Sequence, residues 1–288
     1  MKDICVVYLV RAQNSIEPFM RFLESYQLNP GDIAHDFLLI FKGFEHSSDK
    51  DAYFKLLAPF QYLSFDVPDI GFDITAYFSV ARHYVGRYQY FCFLNSFSVI
   101  QCSDWLSKLY KYISLPQVGL VGATGSWQSH NAWGQIIKAR KMRVSCFPVF
   151  EKVSILNHIN NRLRAIWRNF YLLVFFSPFP NYHVRTNAFM LSSELMNNLV
   201  LPTIKTKIDA YKFESGRKGL TQQILNMGKE VLVVGKDGIG YDMKLWGQSN
   251  TFWQANQENL LIADNQTGCY QNGTLEQRRY LSFRAWGN

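Results

Sequence analysis

Short, unbroken apolar runs alternate with segments of helical spacing over the first 125 residues. Residues 4–10 form a β-branched run without a polar break, the pattern of a strand buried on both faces. Residues 15–26 follow, with Ile16, Phe19, Met20 and Leu23 at helical intervals. The same reading gives strands at 36–41, 61–65, 88–94 and 118–121, and short helices at 51–57 and just after Asp104. A further helix at 73–85 carries Ala76, Val80, Ala81 and Tyr84 on one face. Ser47, Ser48 and Asp49 are N-cap candidates for the 51–57 helix, and Asp104 for the one that begins at Trp105. Strands that alternate with helices at this spacing predict an α/β fold with a mostly parallel, doubly wound sheet flanked by helices.

Regularity falls away after residue 126. Residues 152–176 combine Arg162, Arg164 and Arg168 with Ile155, Leu163, Ile166, Trp167 and the apolar run 171–176. This pattern predicts a basic amphipathic helix, suited either to packing on the sheet or to resting on an anionic membrane. The segment HVRTNAF at 183–189 is expected to lead into an apolar helix, with another amphipathic helix at 220–227 and a late strand at 231–234. From Trp246 onward the chain is polar and aromatic with little regular pattern. Neither a repeat nor a linker divides the sequence, so residues 1–125 and 126–288 are expected to form two halves of one continuous domain.

Charge narrows the choice of partners. The formal net charge is +8, yet no Lys/Arg run exceeds two residues and no nucleic-acid-binding motif is present. Phosphate-bearing small molecules and lipid head groups therefore rank above nucleic acid. Cys5, Cys92, Cys102, Cys146 and Cys269 are scattered without a CxxC pair, which points to a reduced, cytoplasmic protein without a zinc site. Asp3 interrupts any secretory leader, and no apolar stretch reaches the roughly 18 residues of a membrane span.

Candidate chemistry gathers where the runs end. Asp66, Asp69 and Asp73 crowd a strand-to-helix loop around Gly71, where either Asp69 or Asp73 caps the helix or the carboxylates accept hydrogen bonds from a ribose or base. Asn95-Ser96-Phe97-Ser98 closes the fourth strand with neutral oxygens, which bind a hard cation poorly without carboxylates beside them. The alternative is a polar strand end that satisfies its own turn. GLVGATGS at 119–126 lacks both the lysine and the spacing of a phosphate loop, and reads as a turn presenting Thr124 and Ser126 at the sheet edge. His183, Arg185 and Asn187 offer donors to phosphate or sugar hydroxyls. Glu214 and Arg217, in FESGR ahead of the 220–227 helix, supply a general-base candidate and a cation.

Taken in order, VVYLVRAQN at 6–14, DIGFDITAYFSVARHY at 69–84, FCFLNSFSVIQCSDWL at 91–106, VGLVGATGS at 118–126, HVRTNAFML and FESGR resemble bacterial glycosyltransferases of the A-type fold. The resemblance is to the rhamnan-synthesis-like and family 2-like enzymes of polysaccharide assembly. It implies a hexosyl-type transferase that moves a sugar from a nucleoside diphosphate to a hydroxyl on a glycan or lipid-linked acceptor, with residues 1–125 as the nucleotide-sugar half and 126–288 as the acceptor half. By position it places Leu9, Arg11, Ala12 and Asp73 at the donor, with Asn95, Ser96 and Ser98 where the family carries a metal-binding Asp-x-Asp. His183, Arg185 and Asn187 would border the acceptor, and Glu214 would be the base. The neutral tetrad leaves two routes for diphosphate charge: Mg²⁺ or Mn²⁺ held weakly, or arginines (Arg11, Arg185 or Arg217) in its place. The implied location is cytoplasmic, with peripheral membrane contact through 152–176. The rival reading is a non-catalytic nucleotide- or glycan-binding protein of the same fold acting as an assembly partner.

Overall fold

The computed structural model describes residues 2–131 and 171–287. Its centre is an eight-stranded sheet in the order β11-β10-β6-β9-β4-β1-β2-β3, in which β1 is Ile4–Arg11, β2 His35–Lys42, β3 Leu63–Val67, β4 Tyr90–Leu94, β6 Val118–Gly122, β9 Ala188–Ser192, β10 Glu230–Val234 and β11 Gly240–Tyr241. Outside it, β5 (Val99–Ile100) pairs with β12 (Ile262–Ala263) and β7 (Gly125–Ser126) with β8 (His183–Val184). Strand β1 runs parallel to both β2 and β4, β2 to β3, and β6 to β10. Only β9, inserted antiparallel between β4 and β6, and the edge strand β11 break the pattern. The mostly parallel, doubly wound sheet expected from the sequence is therefore present.

Strand β1 shows why its sequence reads as unbroken apolar residues. Cys5, Val7 and Leu9 point into one core, while Ile4, Val6, Tyr8 and Val10 point into the other. Period-two geometry sends alternate residues to opposite faces, so a strand covered on both sides has no polar position to spare. On one face lie α1 (Glu17–Leu28), α2 (Asp51–Leu57) and α4 (Trp105–Ile113), which bury Phe19, Phe22, Leu57, Trp105 and Leu109. The opposite face carries α3 (Phe72–His83), α5 (Ser193–Asn198), α6 (Lys207–Ser215) and α7 (Leu220–Asn226). Cys5 and Cys92 are buried in strands as small apolar residues, and burial pushes both thiols well above their ordinary value.

Several local expectations need correction. Ser47–Lys50 is a 3₁₀ turn in which Asp49 accepts from the His46 backbone, so none of the three proposed caps serves α2. Asp104 occupies the N-cap position of α4, but its carboxylate pairs with Lys108 at 2.7 Å instead of capping. The segment after His183 opens with strand β9, not a helix, because Ala188–Leu191 fills a gap between two apolar strands. Glu214 lies in the last turn of α6, not at the start of the next helix. The tail after Trp246 holds two helices, α8 (Asn265–Gln271) and α9 (Leu275–Trp286). Within the predicted 152–176 helix, residues 152–170 lie outside the described residues; 171–175 are helical and expose Leu173, Val174 and Phe175. No helix among the described residues is long and apolar enough to cross a membrane.

The turn into α3 fixes one wall of the site. Gly71 occupies the N-cap with φ +70°, and Phe72 follows at φ +56°. A Cβ on Gly71 would collide with the Thr75 hydroxyl in the next turn. Left-handed backbone costs a residue with a Cβ about 1–2 kcal/mol. Gly71→Ala is thus expected to lower stability by at least that amount, read as a lower urea midpoint at unchanged slope.

Candidate active site

A cleft of about 980 Å³ opens along the edge where β1 and β4 end and β9 begins. Ligands of open parallel sheets bind outside the carboxyl ends of the strands, where connections diverge. Of the residues singled out in the sequence, Arg11, Asp73, Asn95, His183, Arg185, Asn187 and Glu214 all border this cleft. The fold does not bring the other five to it. Leu9 is sealed in the core, Ala12 is exposed outside the lining, and Ser96 and Ser98 are buried behind it. Arg217 is exposed and donates to the Leu173 carbonyl at 3.4 Å.

Glu214 is held at the cleft wall by the Thr186 hydroxyl, which donates to its carboxylate at 3.0 Å. Burial pushes its pKa up from 4.5 to about 7, with the Asp73 charge adding to the rise and the Thr186 bond opposing it. Asp73, in the first turn of α3, is itself shifted upward by burial, against the pull of Arg11 and Lys42. A carboxyl poised near neutral pH is suited to take a proton and return it. His183 is a different case. Its Nδ1–H donates to the Asn181 carbonyl at 2.8 Å, and burial lowers its pKa to about 4, so it is a neutral ring at pH 7. His130 is likewise lowered to about 4, chiefly by burial, and stacks on Tyr211 with centroids 4.6 Å apart.

Arg185 is fixed from two sides. Its Nη2 donates to Asp264 at 3.2 Å, and its guanidinium lies 4.0 Å from the centre of the Phe252 ring. Asp264 is also the N-cap of α8, accepting the Thr267 backbone N–H at 2.9 Å. Asn187 turns its side-chain oxygen to the Thr124 hydroxyl at 2.6 Å, and its backbone carbonyl accepts from Asn95 N–H and the Ser98 hydroxyl. Three buried donors among these residues have no partner: Arg11 Nε, Arg185 Nη1 and Asn187 Nδ2. A buried donor left unmade costs about 1–3 kcal/mol, so such groups mark where an acceptor is missing.

The Asp66–Asp73 loop divides its carboxylates. Asp69 accepts from the buried Lys42 ammonium at 2.6 Å and from Arg11 at 3.5 Å, with Gln13 also in contact, so Lys42 foremost holds its carboxyl below the usual range. Asp66 pairs with Lys50 at 2.5 Å on the outer side. Neither Asp69 nor Asp73 caps α3, whose N-cap is Gly71; of the three, Asp73 alone faces the cleft.

The tetrad at 95–98 carries no charged oxygen, and its neutral ones are engaged within the fold. Asn95 Oδ1 accepts from Phe97 N–H at 3.0 Å and shares the one Ser98 hydroxyl proton with the Asn187 carbonyl, each at 3.0 Å. The Ser96 hydroxyl accepts from Asn14 at 2.9 Å, and the Ser96 carbonyl from Tyr8 at 2.8 Å. The tetrad is a closed turn, and as folded it does not fit Mg²⁺ or Mn²⁺. Among the described residues no three His, Cys, Asp or Glu side chains gather as a metal site.

Sequence reasoning missed Asp264, Lys207, Tyr211, Phe252 and His130, all of which border the cleft. Asp264 had a legible signal, the Asp-x-x-Thr spacing of a capping box; the others lie on segments whose pattern does not distinguish site from core.

No protein-family model and no curated protein matches the chain. Among solved structures it is similar to a mannosyltransferase from Pyrobaculum calidifontis in complex with GDP-Man and Mn²⁺, at TM-score 0.46 and 13% identity over 81% of this chain and 54% of that one. It is also similar to a 4-diphosphocytidyl-2C-methyl-D-erythritol synthase from Anaerococcus prevotii, at TM-score 0.45 and 10% identity over 81% and 86%. A third is core-mannan synthase A from Aspergillus fumigatus in its Mn/GDP form, at 0.38 and 8% over 74% and 63%. This chain thus spans about half the length of the mannosyltransferase, and at these scores the likenesses assign it neither activity nor ligand.

Proposed function

We propose that this protein transfers a sugar from a nucleoside-diphosphate donor to a hydroxyl acceptor, with Glu214 as general base. The observation that carries the reading is a carboxyl with pKa about 7, hydrogen-bonded to Thr186, in a cleft it shares with Arg11 and Arg185. A base must be ionised to draw off the acceptor proton, and a pKa near the working pH combines availability with basicity. The donor's nucleoside is assigned to the Arg11–Asp73 side, at the ends of β1 and β3, and the acceptor to the side of His183, Tyr211 and α9. Neutral His183 offers Nε2 as an acceptor for a sugar hydroxyl. The leaving diphosphate develops charge that preorganised donors stabilise. A glycan or lipid-linked acceptor, and a place in surface-polysaccharide assembly, extend the same reading.

The test is release of nucleoside diphosphate from a panel of nucleotide sugars, with and without oligosaccharide acceptors, followed across pH. The rate is expected to climb with rising pH and level off above about 7, the pKa of Glu214. Because Thr186 donates to the carboxylate and lowers that pKa, Thr186→Val should move the rising limb to higher pH. Nucleotide binding without release, at every pH and with every acceptor, would instead favour a binding protein.

A further inference from the structure

We infer that the cleft holds a cation-independent diphosphate subsite, formed by Arg185 and Asn187 and flanked by Arg11; this deepens the proposed function and rests on it for the identity of the donor. Asn187 is 3% exposed, and its Nδ2 is buried without a partner while its oxygen is committed to Thr124. With its oxygen receiving the Thr124 hydroxyl, the amide leaves its donor side unmade. Arg185 has the same character, with Nη2 held by Asp264 and Nη1 unpaired. Arg11 Nε is the third unpaired donor, at the end of β1. Asn187 adjoins β9, and β4 alone separates β9 from β1. The two strand ends are thus about 10 Å apart, within reach of two arginine side chains closing on one diphosphate.

Oxygens of a diphosphate supply what these donors lack, and guanidinium forks suit phosphate. Charge at the cleft agrees. Arg11, Arg185, Lys207 and Arg284 face Asp73, Glu214 and Asp264, and Glu214 is half-protonated near pH 7. A cation would need charged oxygen ligands at the end of β4, and that turn offers only neutral oxygens already engaged by Phe97 N–H, Ser98, Asn14 and Tyr8. The subsite therefore neutralises the leaving group with fixed side chains in place of a metal.

The experiment is calorimetric titration of the full chain with inorganic pyrophosphate in EDTA and again with Mn²⁺, for wild type, Arg185→Gln, Arg185→Lys and Arg11→Gln. Wild type should bind in EDTA, and Arg185→Gln should weaken binding about 10–100-fold, the effect of losing a charged hydrogen bond. Arg185→Lys should fall between, since it keeps charge without the fork. Arg11→Gln, which leaves Asp69 paired with Lys42, keeps the test open should the Arg185 variants unfold. Binding that appears only with Mn²⁺, absence of binding, or full affinity in both glutamine variants overturns the subsite. Pyrophosphate binding in EDTA without turnover of any nucleotide sugar removes the transferase reading and leaves the subsite; turnover that requires Mn²⁺ does the reverse.

Discussion

Glu214→Gln is expected to lower transfer by about 10²–10⁴-fold, the usual contribution of a general base, while nucleotide affinity stays within a few-fold of wild type. Glutamine keeps the size of the side chain and an oxygen to receive the Thr186 hydroxyl. What it removes is the capacity to take a proton. Stability supplies the control. Folding raises the carboxyl's pKa from 4.5 to about 7, so over that interval the folded protein retains a proton the unfolded chain has lost. Glu214's own contribution to stability therefore declines as pH climbs from 4.5 to about 7 and is steady above it. His130 and His183, held at about 4, contribute the opposite trend in both proteins, so the readout is the difference between wild type and variant. The glutamine variant has no such proton to lose, so at pH 8 it should be at least as stable as wild type and nearly inactive. Inactivity with a lowered melting temperature would signal a structural role instead, and unchanged turnover would remove Glu214 from the mechanism.

The strands of the sheet were legible because burial on both faces leaves so little choice of residue. Residues 4–10 and 231–234 could be little else. Strand β9 was not, since Ala-Phe-Met-Leu is too short for periodicity to separate strand from helix, and Ser192, its last residue, is already the N-cap of α5, which begins at Ser193. Helices α8 and α9 escaped for another reason. Gly268 interrupts the first, and the second buries only Phe283, Ala285 and Trp286 at its far end, where Trp286 donates to the Phe252 carbonyl at 2.8 Å. Neither has an apolar stripe, although Asp264-x-x-Thr267 and Thr274-x-x-Gln277 announce both starts. In the site, Asp73, Arg185 and Glu214 stood out because each lies beside a strand end or helix end together with other polar side chains. The buried Arg185–Asp264 pair did not, since nothing in a linear pattern joins residues 79 positions apart.

That pair carries the largest expected stability effect. Asp264→Ala should destabilise the fold by about 3–5 kcal/mol, the cost of leaving one member of a buried ion pair uncompensated. The carboxylate does two jobs at once. One oxygen accepts the Thr267 N–H that opens α8, and the other holds Arg185, whose side chain is only 17% exposed. Asp264→Asn separates them. Its oxygen can still cap the helix, whereas its amide donors face a guanidinium that needs an acceptor. The asparagine variant should therefore recover about 1 kcal/mol of the alanine loss, the worth of the cap, and no more. Urea unfolding of wild type and both variants at equal slope measures this directly. Pyrophosphate affinity should fall in both, because Arg185 loses the contact that sets its position. Equal midpoints for all three proteins would show that the pair holds nothing in place, and a full recovery by asparagine would reduce Asp264 to a helix cap.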